Sequence, residues 1–207
     1  MAHQIKGVAD KVLPYLYENG VVKNTLIISP PGCGKTTLLR DIIRQISNGT
    51  VYGQGVNVGV VDERSEIAGS YLGEPQNDVG IRTDVLDACP KVLGMMLLLR
   101  SMSPGVIAID EIGGQEDLEA LCQASYCGTG IVATIHGNGL EDYVKKIRAC
   151  NPRIEQIFQC ALILGKENGS PILHRVYGEE EINAAFTGGN YDSGRMSGNG
   201  VMVPGSL

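Results

Sequence analysis

Between residues 29 and 37 the chain reads Ser29-Pro30-Pro31-Gly32-Cys33-Gly34-Lys35-Thr36-Thr37. Glycines at 32 and 34 let the backbone curl until successive N–H groups converge, an arrangement suited to phosphate oxygens. Lys35 is long enough to reach β- and γ-phosphates, and the Thr36 hydroxyl is a hard oxygen ligand for Mg²⁺. The string departs from G-x-x-x-x-G-K-[ST] once: Ser29 stands where the first glycine is usual, and serine can occupy an ordinary turn there. A proline-glycine turn that merely precedes a lysine is the plain alternative. A strand before the loop and an amphipathic helix after it argue for a P-loop that binds a nucleoside triphosphate through residues 30–37.

Two acidic strand ends could supply the rest of the reaction. Val106-Ile107-Ala108-Ile109 runs into Asp110-Glu111. Phosphoryl transfer to water needs a metal held in place and a polarised water. Asp110 suits the metal through its water shell, and Glu111 the water. Val60-Val61-Asp62-Glu63-Arg64 repeats the arrangement, so Glu63 rivals Glu111 as the base, with a salt-bridged loop as its alternative reading. Ala133-Thr134-Ile135-His136-Gly137 closes a further apolar run, where His136 could sense the γ-phosphate, donate to it, or be structural. A base beside a metal ligand favours hydrolysis over transfer to an acceptor hydroxyl.

These groups need strands that end together. Leu26–Ile28, Val56–Val61, Val106–Ile109 and Ile131–Ile135 are short apolar runs of buried parallel strands. Between them, 35–47, 90–102, 117–126 and 140–149 carry helical spacing, and Pro152 opens another short helix. A hairpin is expected from Phe158–Leu164 and Pro171–Tyr177 around Asn168-Gly169. Apolar spacing over 8–18, broken by Pro14, predicts short helices ending at Gly20. The fold class is therefore α/β, a mainly parallel sheet flanked by helices, with ligands expected at the carboxyl ends of the strands. The expected divisions are a linker helix over 1–23, a P-loop ATPase domain over 24–180 and a flexible Gly/Ser-rich tail over 181–207.

Composition narrows the setting. A net charge of −6 argues against nucleic acid as a partner. The longest largely apolar stretch, Val92–Leu99, falls short of the ~18 residues of a transmembrane helix. No secretory leader is legible, and six cysteines without a C-x-x-C pair read as reduced thiols, so a cytoplasmic location is expected. Cys33, beside a helix N-terminus, is expected to react with alkylating agents and to be protected by bound ATP.

The strings 26–40, 60–67, 108–113 and 134–137, taken together, resemble the RecA-like ATPases of bacterial type II and type IV secretion systems. Closer still is the family of stage III sporulation protein AA, a similarity covering roughly residues 5–180. The resemblance implies a RecA-like P-loop NTPase using ATP and Mg²⁺. It further implies a hexamer on the cytoplasmic face of a membrane, on the mother-cell side of a sporulation channel, with membrane-embedded channel components as partners. It places γ-phosphate contacts at Arg82 and Arg100, with Arg64 as a third arginine; acting in trans they would serve a neighbouring copy, and a helix-surface salt bridge is the plain alternative for each. Secretion ATPases usually have glycine where Asp110 stands. Family members carry a further N-terminal domain, so this chain is expected to be an isolated ATPase core whose own assembly is open. The expected function is a motor ATPase of a sporulation channel or secretion-type apparatus. A nucleotide-binding regulatory scaffold with little turnover is the rival, and a small-molecule kinase the third reading.

Overall fold

A computed structural model describes residues 5–150 and 156–188. In chain order the elements are α1 (Leu13–Leu16), β1 (Tyr17–Glu18), β2 (Val21–Val22), β3 (Thr25–Ser29), α2 (Lys35–Asn48), β4 (Val58–Asp62), β5 (Thr83–Asp87) and α3 (Lys91–Ser101). They continue with β6 (Val106–Ile109), α4 (Gln115–Tyr126), β7 (Gly130–His136), α5 (Leu140–Cys150), β8 (Cys160–Glu167), β9 (Ser170–Gly178) and α6 (Glu179–Thr187).

Among the described residues, seven strands form one sheet in the order β5-β4-β6-β7-β3-β8-β9. All neighbours are parallel except β8 and β9. The α/β reading with a mainly parallel sheet and a C-terminal hairpin therefore holds. β3, β4 and β6 are buried along their whole length, which explains their unbroken apolar runs. Alternate residues feed two cores. Ile27, Val60 and Ala108 pack with Leu38, Leu39, Ile42 and Ile46 of α2, while Leu26, Ile28, Val61 and Ile109 pack with α3, α4 and α5.

One contact in the second core is unusually close. Ideal Cβ atoms on Gly59 of β4 and Gly94 of α3 would lie 2.8 Å from Leu98 and 2.5 Å from Val61. Only glycine at both places lets α3 lie directly on β4.

Three elements differ from the sequence expectation. Helical spacing over 8–18 yields only the single turn α1, and the chain then reverses through Asn19 (φ 51°) and Gly20 (φ 81°) into the β1/β2 hairpin. Asn-Gly is a favoured hairpin turn, and it prevails over the weak apolar periodicity. β5 was not anticipated, because Asp84 and Asp87 break its apolar run at the sheet edge. α6 occupies 179–187, within and just before the stretch assigned to a tail from 181. Its Gly178 N–H donates to Glu181 Oε2 at 3.1 Å, and Ile182 and Ala185 are buried. Three glutamates in its first turn complement the positive helix end. The expected helix at Pro152 and the remainder of the tail, 189–207, lie outside the described residues. Among those described, no helix is long and apolar enough to cross a membrane.

Candidate functional site

The parallel registers bring the polar strand ends to one edge. Ser29 is level with His136 across β3/β7, and Val61 with Ile109 across β4/β6, so Asp62 and Asp110 emerge side by side. The loop between β3 and α2 turns through two left-handed glycines, Gly32 (φ 71°) and Gly34 (φ 80°). That conformation strains any residue with a Cβ. Lys35, Thr36 and Thr37 follow as the first turn of α2, whose apolar face is locked in the core.

Pro30 is half-buried, and Pro31 and Gly32 are exposed at the rim. Cys33 corrects an expectation. Its side chain is 3 % exposed and packs in the core, with Sγ 3.8 Å from the Pro31 carbonyl oxygen. Only its backbone is free to serve an anion. Mass spectrometry after iodoacetamide treatment of native protein will therefore show slow labelling at Cys33, with or without ATP. Rapid labelling that ATP blocks would return the thiol to the phosphate side.

Behind the loop, hydroxyls and carboxylates form a connected chain. The Thr36 hydroxyl donates to Asp110 Oδ2 (3.0 Å), and that of Thr134 donates to Asp110 Oδ1 (2.7 Å). The Glu111 N–H donates in turn to Thr134 Oγ1 (2.9 Å). Glu111 has φ 59°, a left-handed conformation that costs a non-glycine residue about 1–3 kcal/mol. The Thr134 hydrogen bond and a Lys91 ammonium donating to the Glu111 carbonyl (3.0 Å) hold it there. The strained turn aims the carboxylate across the loop: Oε1 lies 3.6 Å from His136 Nε2, which is 3.2 Å from Lys35 Nζ. With Lys35 as an ammonium, Nε2 is the acceptor, which places the proton of a neutral ring on the buried, unpaired Nδ1.

The other acidic strand end is arranged differently. The buried Asp62 carboxylate accepts from the backbone N–H groups of Glu66, Ile67 and Ala68, which ties down the chain after β4. Glu63 pairs with Lys91 at 3.1 Å, and that lysine also lies 3.8 Å from Asp117. The structure thus brings Glu111, and not Glu63, to His136 and Lys35. Arg40 escaped the sequence reading. Buried on α2, it donates to the carbonyls of Ile67 (2.5 Å) and Glu66 (2.7 Å). Burial pushes its guanidinium down from the ordinary arginine value, and the Asp62 and Asp110 carboxylates oppose that shift.

Arg82 and Arg100 do not join this cluster. α2 and α3 start at the carboxyl edge of the sheet and run back to the amino edge, and both arginines sit at that far edge. Arg82 NH1 donates to the Ser47 carbonyl (3.0 Å) at the end of α2, and Arg100 lies in the last turn of α3. Both positions complement the negative end of a helix. Arg64 is the arginine at the site, with NH1 3.3 Å from Glu111 Oε2.

Thr36 Oγ1 and Asp110 Oδ2 are adjacent hard oxygen donors at the foot of the loop, and they fit a Mg²⁺ ion that also takes phosphate oxygens.

This edge can be compared with known proteins. The family model for sporulation stage III, protein AA matches residues 1–183. The chain belongs to that family. It is 44 % identical over 180 residues to stage III sporulation protein AA of Bacillus subtilis (strain 168), covering 87 % of this chain and 58 % of that protein. The chain therefore spans little more than half the length of that relative. An uncharacterized protein, ycf45 of Porphyra purpurea, is 34 % identical over 125 residues, 58 % of this chain and 21 % of its own length.

Among solved structures, the ATPase DotB of Legionella pneumophila superposes with a TM-score of 0.65 at 16 % identity, covering 89 % of this chain and 52 % of that one. The pilus retraction motor PilT, solved with bound ADP, has a TM-score of 0.65 at 18 % identity, covering 91 % and 57 %. The VirB11 ATPase of a Brucella suis type IV secretion system has a TM-score of 0.52 at 15 % identity, covering 78 % and 51 %. The fold of this family member is thus that of the RecA-like secretion ATPases.

Proposed function

We propose that the chain binds ATP with Mg²⁺ through residues 30–37 and hydrolyses it, with Glu111 as the base. The observation that carries this reading is the convergence of Lys35, Thr36, Asp110, Glu111 and His136 at one loop from three different segments. Backbone N–H groups of the loop and the Lys35 ammonium take the phosphates. A Mg²⁺ ion held at Thr36 and Asp110 would neutralise phosphate charge as it develops. Glu111, aimed by its left-handed backbone, accepts a proton from the attacking water. His136 stands between that carboxylate and Lys35, and once Lys35 turns to the nucleotide a change of tautomer would let its Nε2 donate to the γ-phosphate.

Assembly belongs to the same proposal. A ring of copies packs head to tail, so unlike faces meet and an arginine remote from its own loop can serve a neighbour's. Arg82 and Arg100 could act only in that way, whereas Arg64 is already at the site. In this reading the protein is a homo-oligomeric motor, a hexamer in its full-length form. It works against membrane-embedded channel components on the cytoplasmic face of the mother-cell membrane during sporulation. The scaffold reading draws on one observation, the Arg64–Glu111 ion pair, which would restrain the base.

Phosphate release from Mg·ATP, followed across a hundredfold range of protein concentration, separates the two. A motor completed by neighbouring copies gives turnover per chain that rises with concentration and stops with EDTA. Turnover independent of concentration would remove the ring from the proposal, and no turnover at any concentration would leave the scaffold.

A further inference from the structure

We infer that Lys166, on the β8/β9 hairpin, is a second lysine for the nucleotide phosphates, approaching the loop from the side away from Glu111. This rests on the reading of residues 30–37 as an ATP site. β8 runs parallel to β3 with Ile28 opposite Ile163, so Gly165 and Lys166 continue past Ser29, the end of β3, and alongside the loop. The β8/β9 pairing changes register between Ile163 and Leu164. Such an irregularity bends and twists a strand pair, and here it falls where the hairpin leaves the sheet.

Beyond that point, Lys166 and Pro171 are directly paired and share one face, and that face is turned to the loop. Lys166 Nζ lies 3.4 Å from the point a Cβ of Gly32 would occupy, and the Pro171 ring lies 3.3 Å from the corresponding point of Gly34. The two left-handed glycines of the loop are thus each covered by one residue of the hairpin. Pro171, confined in its backbone, fixes the height of the hairpin, and Lys166 supplies charge.

Among the described residues no carboxylate pairs with Lys166. An ammonium with no acidic partner, over a loop whose own N–H groups and Lys35 already favour anions, is repelled until a polyanion arrives. A triphosphate meets both lysines at once. No motif marks Lys166 in the sequence, since only the pairing of β8 with β3 brings it to the loop.

The test compares the full chain with Lys166→Ala and Lys166→Arg by calorimetric titration with Mg·ATP at several salt concentrations. Lys166→Ala is expected to weaken binding roughly tenfold or more, the scale of one lost charge-assisted hydrogen bond. It should also flatten the salt dependence and leave the melting temperature unchanged, because the side chain is exposed. Lys166→Arg should retain most of the affinity. Equal affinity and equal salt dependence for the alanine variant would overturn the inference while leaving the ATP site standing. A parent chain that binds no ATP would overturn both.

Discussion

Glu111→Gln will bind Mg·ATP about as tightly as the parent chain and hydrolyse it roughly 10²–10⁴-fold more slowly, the usual contribution of a positioned general base. The amide keeps the size of the side chain and its place beside His136 but cannot accept a proton. Binding survives because the contacts assigned to the phosphates come from the loop, Lys35 and Lys166, none of which the substitution touches. Single-turnover hydrolysis alongside equilibrium binding will show the split. Glu63→Gln is the control. Its carboxylate is spent on Lys91, so turnover should change only a few-fold. If the large loss appears at Glu63 instead, the two carboxylates exchange roles. If neither variant loses turnover, the base is neither carboxylate and the role assigned to Glu111 falls.

Lys35→Ala will weaken Mg·ATP binding by about a hundredfold or more, the scale on which removing a charged partner from a hydrogen-bonded contact is felt. Lys35 is the cation of the loop itself, placed on the first residue of α2 where the helix end already favours anions. The same variant frees His136 Nε2 from its 3.2 Å contact. Its imidazole C–H signals in an NMR spectrum of the unliganded chain should therefore shift even without nucleotide. Affinity equal to that of the parent would contradict the assignment of residues 30–37.

The loop was legible in the sequence because its determinants are local. Two glycines with positive φ, a lysine and a threonine fall within five positions, 32–36, and the buried strand and amphipathic helix around them announce themselves by apolar content. The positions of Asp110 and His136 at strand ends were legible for a similar reason, since each closes a run that is apolar but for Thr134. Which of Glu63 and Glu111 lies beside His136 was not. It turns on a backbone torsion at 111 and on where Lys91 points, and neither is encoded in spacing. The edge on which Arg82 and Arg100 stand was not legible either, because matching strings do not say to which edge of a sheet a helix end returns. β5 and α6 were hidden by their charged residues, which on a sheet edge and a first helical turn are compatible with order. Lys166 depended on a pairing between strands more than a hundred residues apart.

The close seat of α3 on β4 has a mechanical meaning. With Leu98 and Val61 filling the space that side chains at Gly59 and Gly94 would need, the helix is seated on the strand at close range. Lys91 is the first residue of that helix, and its ammonium grips the carbonyl of the strained Glu111. Close-packed interiors transmit displacement instead of absorbing it. The peptide that aims the carboxylate is therefore anchored, through Lys91, to an interior strand of the sheet.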